Sequence, residues 1–252
     1  KAKLHVAVDT GMSRIGFPCT ESGADEVEKI SRLSDVILEG IFTHYASADE
    51  TDRGFTELQL SRFGEFIKLL ESRGVDIPIK HTANSAAIME YPETVFNMVR
   101  PGIITYGLYP SGEVDKNKLS LSPAMELKTH VAYVKYIEEN DTVSYGRTFC
   151  ADKKMKIATI PVGYADGYPR LLSNKGRVII NGEYAPILGR ICMDQFMVDV
   201  SHIEDICEGD SVTLIGRDGG CCISAEEIAE YAQTINYEII CGIGKRVPRV
   251  FI

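Results

Sequence analysis

The sequence predicts a partial α/β barrel followed by a mostly antiparallel β domain. Apolar runs alternate with amphipathic helical patterns over residues 1–110, and this order is typical of parallel strands covered by helices. Strand-like runs separated by turns, with one helical pattern among them, fill the later part of the chain, and a polar, turn-rich linker lies at about 110–122. We therefore predict the C-terminal half of a TIM-like (β/α)8 barrel over residues 1–110 and a β domain over 111–252.

The first part contains four expected strands and three expected helices. The strands are LHVAVDTG, VILEGIFTHYA, IPIKHTANS and FNMVRPGIITYG, and the helices are SGADEVEKISRL, FTELQLSRFGEFIKLLESRG and AAIMEY. Four apolar residues of the second helix recur at helical spacing: Leu58, Phe63, Phe66 and Leu69. Gly74 stands where a C-cap glycine is expected. A closed barrel of this type needs about eight strands, so we expect an N-terminal portion to be missing from this sequence.

The second part reads as strands joined by short turns. The expected strands lie in AMELKTHVAYVKYI, MKIATIPVGYA, GRVIINGEYAPILGR, FMVDVS and DSVTLIG. Turn sequences such as NGE and EGD separate several of them. The helical pattern SAEEIAEYAQT begins with Ser224, and Glu227 follows three residues later, which is a capping-box pattern. This arrangement predicts a mostly antiparallel sheet with one helix.

Composition and charge exclude several classes of function. The 252 residues carry a formal net charge of −9 with no run of lysine and arginine, so a nucleic-acid or anionic-membrane partner is not expected. No apolar stretch approaches the length of a membrane span. The seven cysteines contain no C-x-x-C pair, and the five histidines lack ligand spacing. We therefore expect the seven cysteines to be small buried apolar residues of a cytoplasmic protein, with no disulfide framework and no metal site.

Polar side chains follow each expected strand of the first part. Six of them are Arg14, His44, His81, Asn84, Ser85 and Arg100. Because the functional residues of α/β barrels lie at the C-terminal ends of the strands, we expect these six side chains to face one common mouth. Gly102 and Ile103 present two consecutive backbone N–H groups at the last of these strand ends. Together with the Ser85 hydroxyl, they are suited to binding a phosphate group.

Eight stretches of the chain form an ordered set of motifs. They are VDTGMSRIGF, THYASAD, HTANSAA, RPGIITYGLYPS, VSYGRTF, PVGYADGYPR, LGRICMDQFMVDV and TINYEI. In this order, from about residue 4 to the C-terminus, they resemble the motifs of the alanine racemases, a family of pyridoxal-phosphate enzymes. The resemblance implies a barrel followed by a β domain, pyridoxal 5′-phosphate as cofactor, and a homodimer in which the β domain of one subunit closes the barrel mouth of the other.

The resemblance also implies how the reaction is divided among residues. Racemisation needs proton donors on opposite faces of a planar carbanion, and the family uses the cofactor's lysine and a tyrosine that matches Tyr145. A phenol with an unperturbed pKa near ~10 is a poor base at neutral pH, so neighbouring cations are expected to favour its ionised form. Arg100 matches the arginine that faces the pyridine nitrogen. Because a guanidinium keeps its proton, the ring is expected to stay unprotonated, which limits transamination.

The remaining matches concern the cofactor and the substrate. Arg14 matches an arginine near the cofactor's ring oxygen and the substrate carboxylate, and His44 matches a histidine beside the pyridine ring. His81 and Asn84 match positions that orient Arg100. The phosphate ligands match Ser85, Gly102, Ile103 and Tyr237. The residues around the substrate and entrance match Tyr164, Met193 and Asp194.

Two departures from the family pattern bear on activity. The cofactor lysine of the family lies in an N-terminal motif that this sequence does not contain, and Lys80 and Lys135 stand in other motifs. The chain as given is therefore expected to be unable to hold the cofactor covalently and to be inactive alone. Ala7 stands where many relatives carry a lysine, often carbamylated, whose negative charge braces the arginine that matches Arg14. We expect a chloride-like anion or a water network beside Arg14, and no carboxylate.

The predicted function is the interconversion of L- and D-alanine, which supplies D-alanine for peptidoglycan. Tyr237 is bulky and narrows the space beside the α-carbon, which favours alanine over serine. Two alternatives stay open. One is a related pyridoxal-phosphate racemase or decarboxylase acting on serine or a basic amino acid, although SYGRTF and GYADGYPR argue against the decarboxylases. The other is a non-catalytic fragment that dimerises without chemistry.

Overall fold

The computed structural model describes residues 1–252 and separates into two compact units, Lys1–Pro123 and Ala124–Ile252. A four-stranded parallel sheet forms the centre of the first unit. An eight-stranded antiparallel sheet forms the centre of the second. The fold class predicted from the sequence, half of a TIM-like barrel followed by a mostly antiparallel β domain, is confirmed.

Four strands and three helices form the first unit. The strands are β1 (Ala2–Asp9), β2 (Phe17–Pro18), β3 (Val36–Phe42) and β4 (Ile79–His81), and the helices are α1 (Glu21–Ser31), α2 (Gly54–Ser72) and α3 (Ser85–Glu90). Two 3₁₀ turns follow at Pro92–Thr94 and Ile103–Tyr106. The parallel strands lie in the order β2-β1-β3-β4. This order brings the C-terminal ends of β1, β3 and β4 to one edge of the sheet.

One face of the parallel sheet is covered by α1 and α2. Val6 and Val8 of β1 and Ile41 of β3 pack against Phe63 and Phe66 of α2, and all five side chains are buried. Because successive strand residues point to opposite faces, the residues between them point away from the helices. The polar side chains that concern function lie on that other face and at the strand ends.

The buried face of α2 differs from the predicted one. Phe63 and Phe66 are buried as expected, whereas Leu58 is exposed and Leu69 is half-buried. Gln59 is fully buried in the first turns of the helix. The reason is that the strand-end loops beneath this part of α2 present backbone N–H and C=O groups, which an amide can satisfy and a leucine cannot.

The predicted fourth strand, FNMVRPGIITYG, does not form a regular strand. It makes two backbone hydrogen bonds beside β4, from Asn97 N to Lys80 O at 3.4 Å and from Arg100 N to Ala83 O at 3.0 Å. Pro101 then lacks an N–H donor, and the chain turns into the second 3₁₀ segment. The fourth strand of the sheet is instead the two-residue β2 at the opposite edge.

The second unit contains ten strands and two helices. The strands are β5 (Leu127–His130), β6 (Tyr133–Ile137), β7 (Thr142–Val143), β8 (Phe149–Cys150), β9 (Met155–Ile160), β10 (Arg177–Ile180), β11 (Glu183–Leu188), β12 (Phe196–Asp199), β13 (Ser211–Asp218) and β14 (Cys221–Ile223), and the helices are α4 (Ala225–Ala232) and α5 (Asn236–Gly242). The large sheet has the order β14-β13-β10-β11-β12-β9-β6, with β5 paired to β13. Strands β7 and β8 form a separate hairpin. The short helix α5 was not predicted.

Local backbone chemistry explains two features of this sheet. The predicted turn NGE joins β10 and β11, with φ of +52° at Asn181 and +78° at Gly182, as a tight hairpin with the native twist requires. The stretch predicted as one long strand, AMELKTHVAYVKYI, divides into β5 and β6. The break lies at Val131 and Ala132, because β5 before it pairs with β13 and β6 after it pairs with β9. At the break, Val131 N donates to Asp210 O and Ala132 N donates to Thr159 O.

Two predicted capping residues occupy helix ends. Gly74 follows α2 with φ of +77°, a conformation that favours glycine. Ser224 Oγ accepts a hydrogen bond from Glu227 N at 3.1 Å at the start of α4. The Glu227 carboxylate does not return to Ser224 but accepts two hydrogen bonds from Arg177, at 2.9 and 3.2 Å. Only half of the capping box therefore forms.

Three further features of the structure bear on function. No helix combines the length and apolar character that crossing a membrane requires. No group of three or more histidine, cysteine, aspartate or glutamate side chains is arranged to hold a metal ion. All seven cysteines are free thiols, and the expectation that they are buried is wrong, because three are exposed and four are half-buried.

Candidate active site

The Arg100 guanidinium is held in place at the strand ends of the first unit. Its Nη1 donates to His81 Nδ1 at 2.6 Å and to the His81 carbonyl at 3.2 Å. Its Nη2 donates to the carbonyl oxygens of Thr43 at 2.8 Å and Thr82 at 3.2 Å, and lies 3.4 Å from His44 Nδ1. The Nε–H makes no hydrogen bond within the unit. This N–H is therefore the donor that Arg100 has left for a ligand.

Two neutral imidazoles flank this guanidinium. A guanidinium only donates hydrogen bonds, so His81 Nδ1 must accept and therefore carries no proton. Burial, together with the positive charge of Arg100, lowers the pKa of His81 to about 4. Burial is also the main cause that lowers the pKa of His44, and Arg100 and Arg14 add to it. Both rings therefore stay uncharged at neutral pH and leave the positive charge on the arginines.

The depressed pKa of His81 predicts a pH dependence of stability. Between the ordinary value of 6.5 and about 4, the unfolded chain binds a proton that the folded chain does not. Stability is therefore present above pH 6.5 and is lost as the pH falls toward 4, by up to about 3 kcal/mol. Urea unfolding at several pH values should show this extra loss relative to a His81→Gln variant, which has no titrating ring. Parallel pH profiles of the two proteins would contradict it.

Arg14 lies beside a small cavity and has no carboxylate partner. The cavity, of about 20 Å³, is lined by residues that include Ala7, Arg14, Phe42 and His44, and its size suits one water molecule or small ion. Asp9 also lines it, but the Asp9 carboxylate accepts hydrogen bonds from the backbone N–H groups of the following loop, at 2.9 and 3.0 Å. No Arg14 nitrogen lies within 4.0 Å of a carboxylate oxygen. The carboxylate pairing that would exclude an anion beside Arg14 is therefore absent.

The buried Gln59 of α2 ties two strand-end loops together. Its Nε2 donates to Thr10 Oγ1 at 2.9 Å and to His44 O at 3.0 Å, and its Oε1 accepts from Ala46 N at 2.9 Å. Thr10 Oγ1 also lies 2.7 Å from Thr43 Oγ1. One side chain thus holds the loop after β1 and the loop after β3, and fixes the backbone of His44. The periodicity of α2 did not indicate this role, because glutamine is usually found on exposed helix faces.

Three of the four residues predicted to bind phosphate, Ser85, Gly102 and Ile103, are neighbours. Ser85 is buried at the start of α3, and its Oγ accepts from Gly102 N at 2.8 Å. A Cβ at Gly102 would lie 3.4 Å from that oxygen, in ordinary contact. Ile103 follows as the first residue of a 3₁₀ turn and is buried. Asn84, expected to orient Arg100, uses its side chain to cap α3 by accepting from Ala87 N at 3.0 Å.

Tyr145 stands on a strained turn of the second unit. It begins a 3₁₀ turn, and 71% of it is exposed. Ser144 before it has φ of +66° and ψ of −177°, a region that is essentially reserved for glycine. Gly146 and Arg147 after it also have positive φ angles. The turn is held by Ser144 Oγ, which donates to Arg190 O at 2.5 Å.

Substitutions of Ser144 test how this strain is held. Ser144→Ala removes the hydroxyl bond and keeps the strained φ, so we expect it to lower the free energy of unfolding by about 1–2 kcal/mol. Ser144→Gly loses the same bond but relieves the strain, so we expect it to be more stable than Ser144→Ala by about 1 kcal/mol or more. Urea unfolding of the three proteins measures both differences. A glycine variant less stable than the alanine variant would contradict this account of the turn.

A neighbouring loop carries the residues expected around the substrate. Cys192 Sγ lies 3.4 Å from Ser144 Oγ, and Cys192 O accepts from Tyr164 N at 3.1 Å. The exposed side chains of Tyr164 and Met193 belong to this region. The structure therefore brings Tyr145, Tyr164 and Met193 to adjoining loops of the second unit.

Asp194 is held by an arginine that the motifs did not single out. Its carboxylate accepts from Arg246 Nη2 at 2.6 Å, and the Nε of the same guanidinium lies 2.9 Å from Asp166. Arg246 thus fixes two acidic side chains at this end of the unit. The remaining predicted residue, Tyr237, lies half-buried on α5.

Two protein-family models match successive parts of this chain. Residues 1–110 match the alanine racemase N-terminal domain, and residues 124–251 match the alanine racemase C-terminal domain. The chain belongs to the alanine racemase family. The resemblance drawn from the eight motifs is thereby confirmed.

Relatives in this family extend over the whole of the chain. An alanine racemase of Clostridium perfringens is 54% identical over 251 residues, and one of Methanococcus maripaludis is 51% identical over 251 residues. Each match covers 100% of this chain, but 65% of the first relative and 67% of the second. The chain therefore spans about two thirds of the length of these relatives.

Solved structures of the family have the same fold as this chain. An alanine racemase of Clostridium difficile superposes with a TM-score of 0.94 at 45% identity, covering 98% of this chain and 64% of the other. An alanine racemase of Bacillus anthracis with bound L-Ala-P superposes with a TM-score of 0.93 at 42% identity, covering 99% and 64%. A further Clostridium difficile structure is a complex with cycloserine, with a TM-score of 0.90.

Proposed function

We propose that this chain carries most of the active site of a pyridoxal-phosphate-dependent alanine racemase, an isomerase that interconverts L- and D-alanine. The observation that carries the proposal is the hydrogen bonding of Arg100. Both of its Nη atoms donate to groups of the first unit, whereas its Nε–H has no partner there and can donate to a ligand. The relatives named alanine racemase support the choice of substrate. Bound pyridoxal phosphate would supply the electron sink that makes the α-proton of an amino acid removable.

The strand-end residues fit the parts of this cofactor. Ser85 Oγ accepts from Gly102 N at 2.8 Å, which leaves the Ser85 hydroxyl proton for a phosphate, and Gly102 N–H would have to turn from Ser85 to donate to the same group. The proposed phosphate ligands are Ser85, Gly102, Ile103 and Tyr237. Arg100 Nε–H would face the ring nitrogen, and His44, which lies 3.4 Å from Arg100 Nη2, would lie beside the ring.

Arg100 would bind the ring nitrogen without protonating it. Burial lowers the pKa of Arg100, and the positive charge of Arg14 adds to this effect, yet a guanidinium remains protonated at any physiological pH. His81 orients Arg100 through the 2.6 Å bond from Nη1. A ring nitrogen that accepts a hydrogen bond and no proton withdraws fewer electrons. We infer that this arrangement favours return of the proton to the α-carbon over transamination.

Tyr145 would hold and move a proton at one face of the substrate α-carbon. A lysine would act at the other face, because inversion of the α-carbon requires a proton to leave one side and to be returned on the opposite side. We propose a homodimer with shared active sites, in which Tyr145 of one copy serves the strand ends of the other. The 71% exposure of Tyr145 supports a role in contacts beyond its own unit.

Substrate recognition would rest on the carboxylate and on the methyl group. Arg14 and the Met193 backbone N–H would bind the carboxylate, with Tyr164 and Asp194 around the entrance. The bulk of Tyr237 beside the α-carbon would favour alanine over serine. The product D-alanine would supply peptidoglycan synthesis in the cytoplasm.

The lysine that holds the cofactor is proposed to lie outside these 252 residues. Lys80, the lysine closest in sequence to the strand-end motifs, directs its ammonium to the outer side, 3.4 Å from Glu71 of α2 and 3.9 Å from Asp76. Lys135 lies on β6 of the second unit. We therefore expect the chain alone to bind pyridoxal phosphate without a covalent link and to be inactive.

Two measurements test this proposal. The chain alone, incubated with pyridoxal phosphate and treated with borohydride, should yield no reduced cofactor–lysine adduct at a single site. A chimera that adds the unmatched portion of the Clostridium perfringens relative should racemise L-alanine, and should turn over alanine faster than serine or lysine. A chimera that is folded and binds the cofactor but has no racemase activity would contradict the function.

A non-catalytic dimerising module is the second candidate. The observation that favours it is the position of Lys80, whose ammonium is engaged by acidic residues on the helix side of the sheet. This candidate predicts that the chain forms dimers but that the chimera stays inactive on all three amino acids. Sedimentation of the chain and turnover of the chimera together separate the two candidates.

The cavity beside Ala7 is proposed to hold a chloride-like anion or water against Arg14. Arg14 has no carboxylate partner, and the cavity has room for one small species. Chloride added to the chain should broaden the ³⁵Cl NMR line, and the broadening should disappear in Arg14→Gln. Arg32→Gln, at an exposed arginine on another face, serves as the control. Equal broadening in wild type and Arg14→Gln would exclude chloride at this cavity.

A further inference from the structure

We propose that His5 and Glu39 are positioning residues that hold the His81 ring and, through it, the Arg100 guanidinium. No motif of the sequence indicated either residue. The inference rests on the proposed function in one respect only, namely that Arg100 presents its Nε–H to a ligand. The chain of contacts itself belongs to the first unit and is independent of any bound cofactor.

The contacts form one continuous series across the face of the sheet that is turned away from the helices. Arg100 Nη1 lies 2.6 Å from His81 Nδ1, and His81 Nε2 lies 2.8 Å from His5 Nδ1. The other nitrogen of His5, Nε2, lies 3.5 Å from Glu39 Oε2. Lys3 Nζ donates to Glu39 Oε1 at 2.5 Å and ends the series at the surface.

Which atom donates in each hydrogen bond of this series follows from Arg100, the residue at one end of it. Because Arg100 can only donate, His81 Nδ1 accepts, and the neutral His81 ring carries its proton on Nε2. His81 Nε2–H then donates to His5 Nδ1, which in turn places the His5 proton on Nε2. His5 Nε2 lies 3.5 Å from Glu39 Oε2, an electrostatic contact that is longer than a usual hydrogen bond, so a protonated Nε2 is favoured there. A ring that donates to a good acceptor is itself a better acceptor at its second nitrogen.

The backbone is shaped to admit this series. The pairing of β1 with β3 slips by one residue between Leu4 and His5, so that His5 lies opposite Gly40 and Glu39 is the extra residue of a bulge. A Cβ at Gly40 would lie 2.3 Å from His5 Nδ1, so only glycine leaves room for the ring. Bulges of this kind redirect a side chain, and here the redirected side chain is the Glu39 carboxylate, which contacts both His5 and Lys3.

Packing and charge hold both ends of the series. His81 is stacked on Phe42 with ring centroids 5.1 Å apart and planes 8° apart, and its centroid lies 5.0 Å from that of His5. The hydrogen bond from Lys3, assisted by that from His5, lowers the pKa of Glu39. The carboxylate therefore stays ionised and remains an acceptor for His5.

Loss of either residue would release the arginine. Without His5, the buried His81 Nε2–H has no acceptor, and a ring rotation that restores one removes Nδ1 from Arg100. The guanidinium would then keep its carbonyl contacts but lose the 2.6 Å bond that fixes the direction of Nη1. We expect Nε–H to lose its fixed orientation as a result.

The test reads Arg100 and His81 directly, in the chain without cofactor. In the wild type, ¹⁵N NMR should show His81 with an unprotonated Nδ1 and a protonated Nε2, and Arg100 with separate, slowly rotating Nη signals. In His5→Leu and in Glu39→Leu, the Arg100 guanidinium keeps its bonds to backbone carbonyls but is held less firmly by His81, so it should rotate faster than in the wild type and its Nη signals should broaden. Glu39→Gln keeps an acceptor for His5 and should preserve the separate signals. Glu26→Gln, which removes an exposed carboxylate from α1, is the matched control.

The outcomes separate this inference from the proposed function. Arg100 Nη signals as sharp as those of the wild type in a folded Glu39→Leu variant, at a half-buried position, would overturn the inference whatever the activity of the chimera. Nη signals that broaden in Glu39→Leu but not in Glu39→Gln support it even if the chimera has no racemase activity. In an active chimera, Glu39→Leu should lower kcat for alanine about 10-fold with little change in KM, and Glu39→Gln should restore most of it.

Discussion

Replacing Tyr145 by phenylalanine is expected to lower racemisation of alanine by the chimera about 10²- to 10⁴-fold, the usual contribution of one general acid or base. The ring remains, so packing around the strained turn is kept, and only the hydroxyl that holds a proton is lost. Because Tyr145 is 71% exposed and lies on a turn with three positive φ angles, its phenol contributes little to folding. The measurement is the initial rate in both directions, from L- and from D-alanine.

Tyr133→Phe is the matched control for this substitution. Tyr133 is another exposed tyrosine of the second unit, on β6, and no role is proposed for it. We expect the racemisation rate of the Tyr133→Phe chimera to stay within about twofold of the wild type, since surface changes of this size rarely disturb a fold. A Tyr145→Phe variant as active as Tyr133→Phe would contradict the role given to the phenol.

Replacing Gln59 by leucine is expected to lower the free energy of unfolding by about 3 kcal/mol. The side chain is fully buried and makes three hydrogen bonds, two of them to the backbone of the loop after β3. A leucine of similar volume leaves Ala46 N and His44 O without partners, and a buried unpaired group costs more than the bond contributed. The same change should loosen His44. Urea unfolding followed by circular dichroism measures the first effect, and hydrogen exchange at Ala46 N–H measures the second.

Lys68→Leu on the exposed face of α2 is the control for Gln59→Leu. It introduces the same side chain into the same helix but removes no buried hydrogen bond. We expect it to change stability by less than about 0.5 kcal/mol. If the two variants unfold at the same urea concentration and Ala46 exchanges at the wild-type rate, Gln59 does not hold the loops as described.

Local pattern was enough to predict the elements that bury apolar surface. The periodicity of α2 predicted Phe63 and Phe66 in the core, and the NGE turn predicted the β10–β11 hairpin. Polar residues at strand ends predicted the cluster of His44, His81 and Arg100, because parallel strands bring their C-terminal ends to one edge. These features are local in sequence or follow from the strand order.

Features that depend on pairing between distant segments could not be predicted in this way. The contact of His5 with His81 joins residues 76 positions apart and requires the slip between β1 and β3. The predicted fourth strand does not form because Pro101 has no N–H to donate to a neighbouring strand. Only two backbone hydrogen bonds therefore join this segment to β4 and the residues after it. The strain at Ser144 is likewise invisible in sequence, since serine is not a residue that favours positive φ.

The first unit contains a preorganised arginine, and the second unit contains a strained turn. In the first unit, hydrogen bonds from Arg100 to His81, Thr43 and Thr82 fix the orientation of its guanidinium. The second unit holds a short turn in a costly backbone conformation and leaves a phenol exposed on it. In the proposed function, the guanidinium would contact the cofactor ring and the phenol would carry a proton at one face of the substrate.

The most direct test of this account is α-hydrogen exchange in D₂O, measured by NMR separately for L- and D-alanine with the Tyr145→Phe chimera. If a phenol serves one face and a lysine the other, the variant should still exchange the α-hydrogen of one enantiomer while exchange of the opposite enantiomer falls about 10²-fold or more. Equal exchange of both enantiomers, whether both fast or both slow, would contradict the assignment of Tyr145 to a single face.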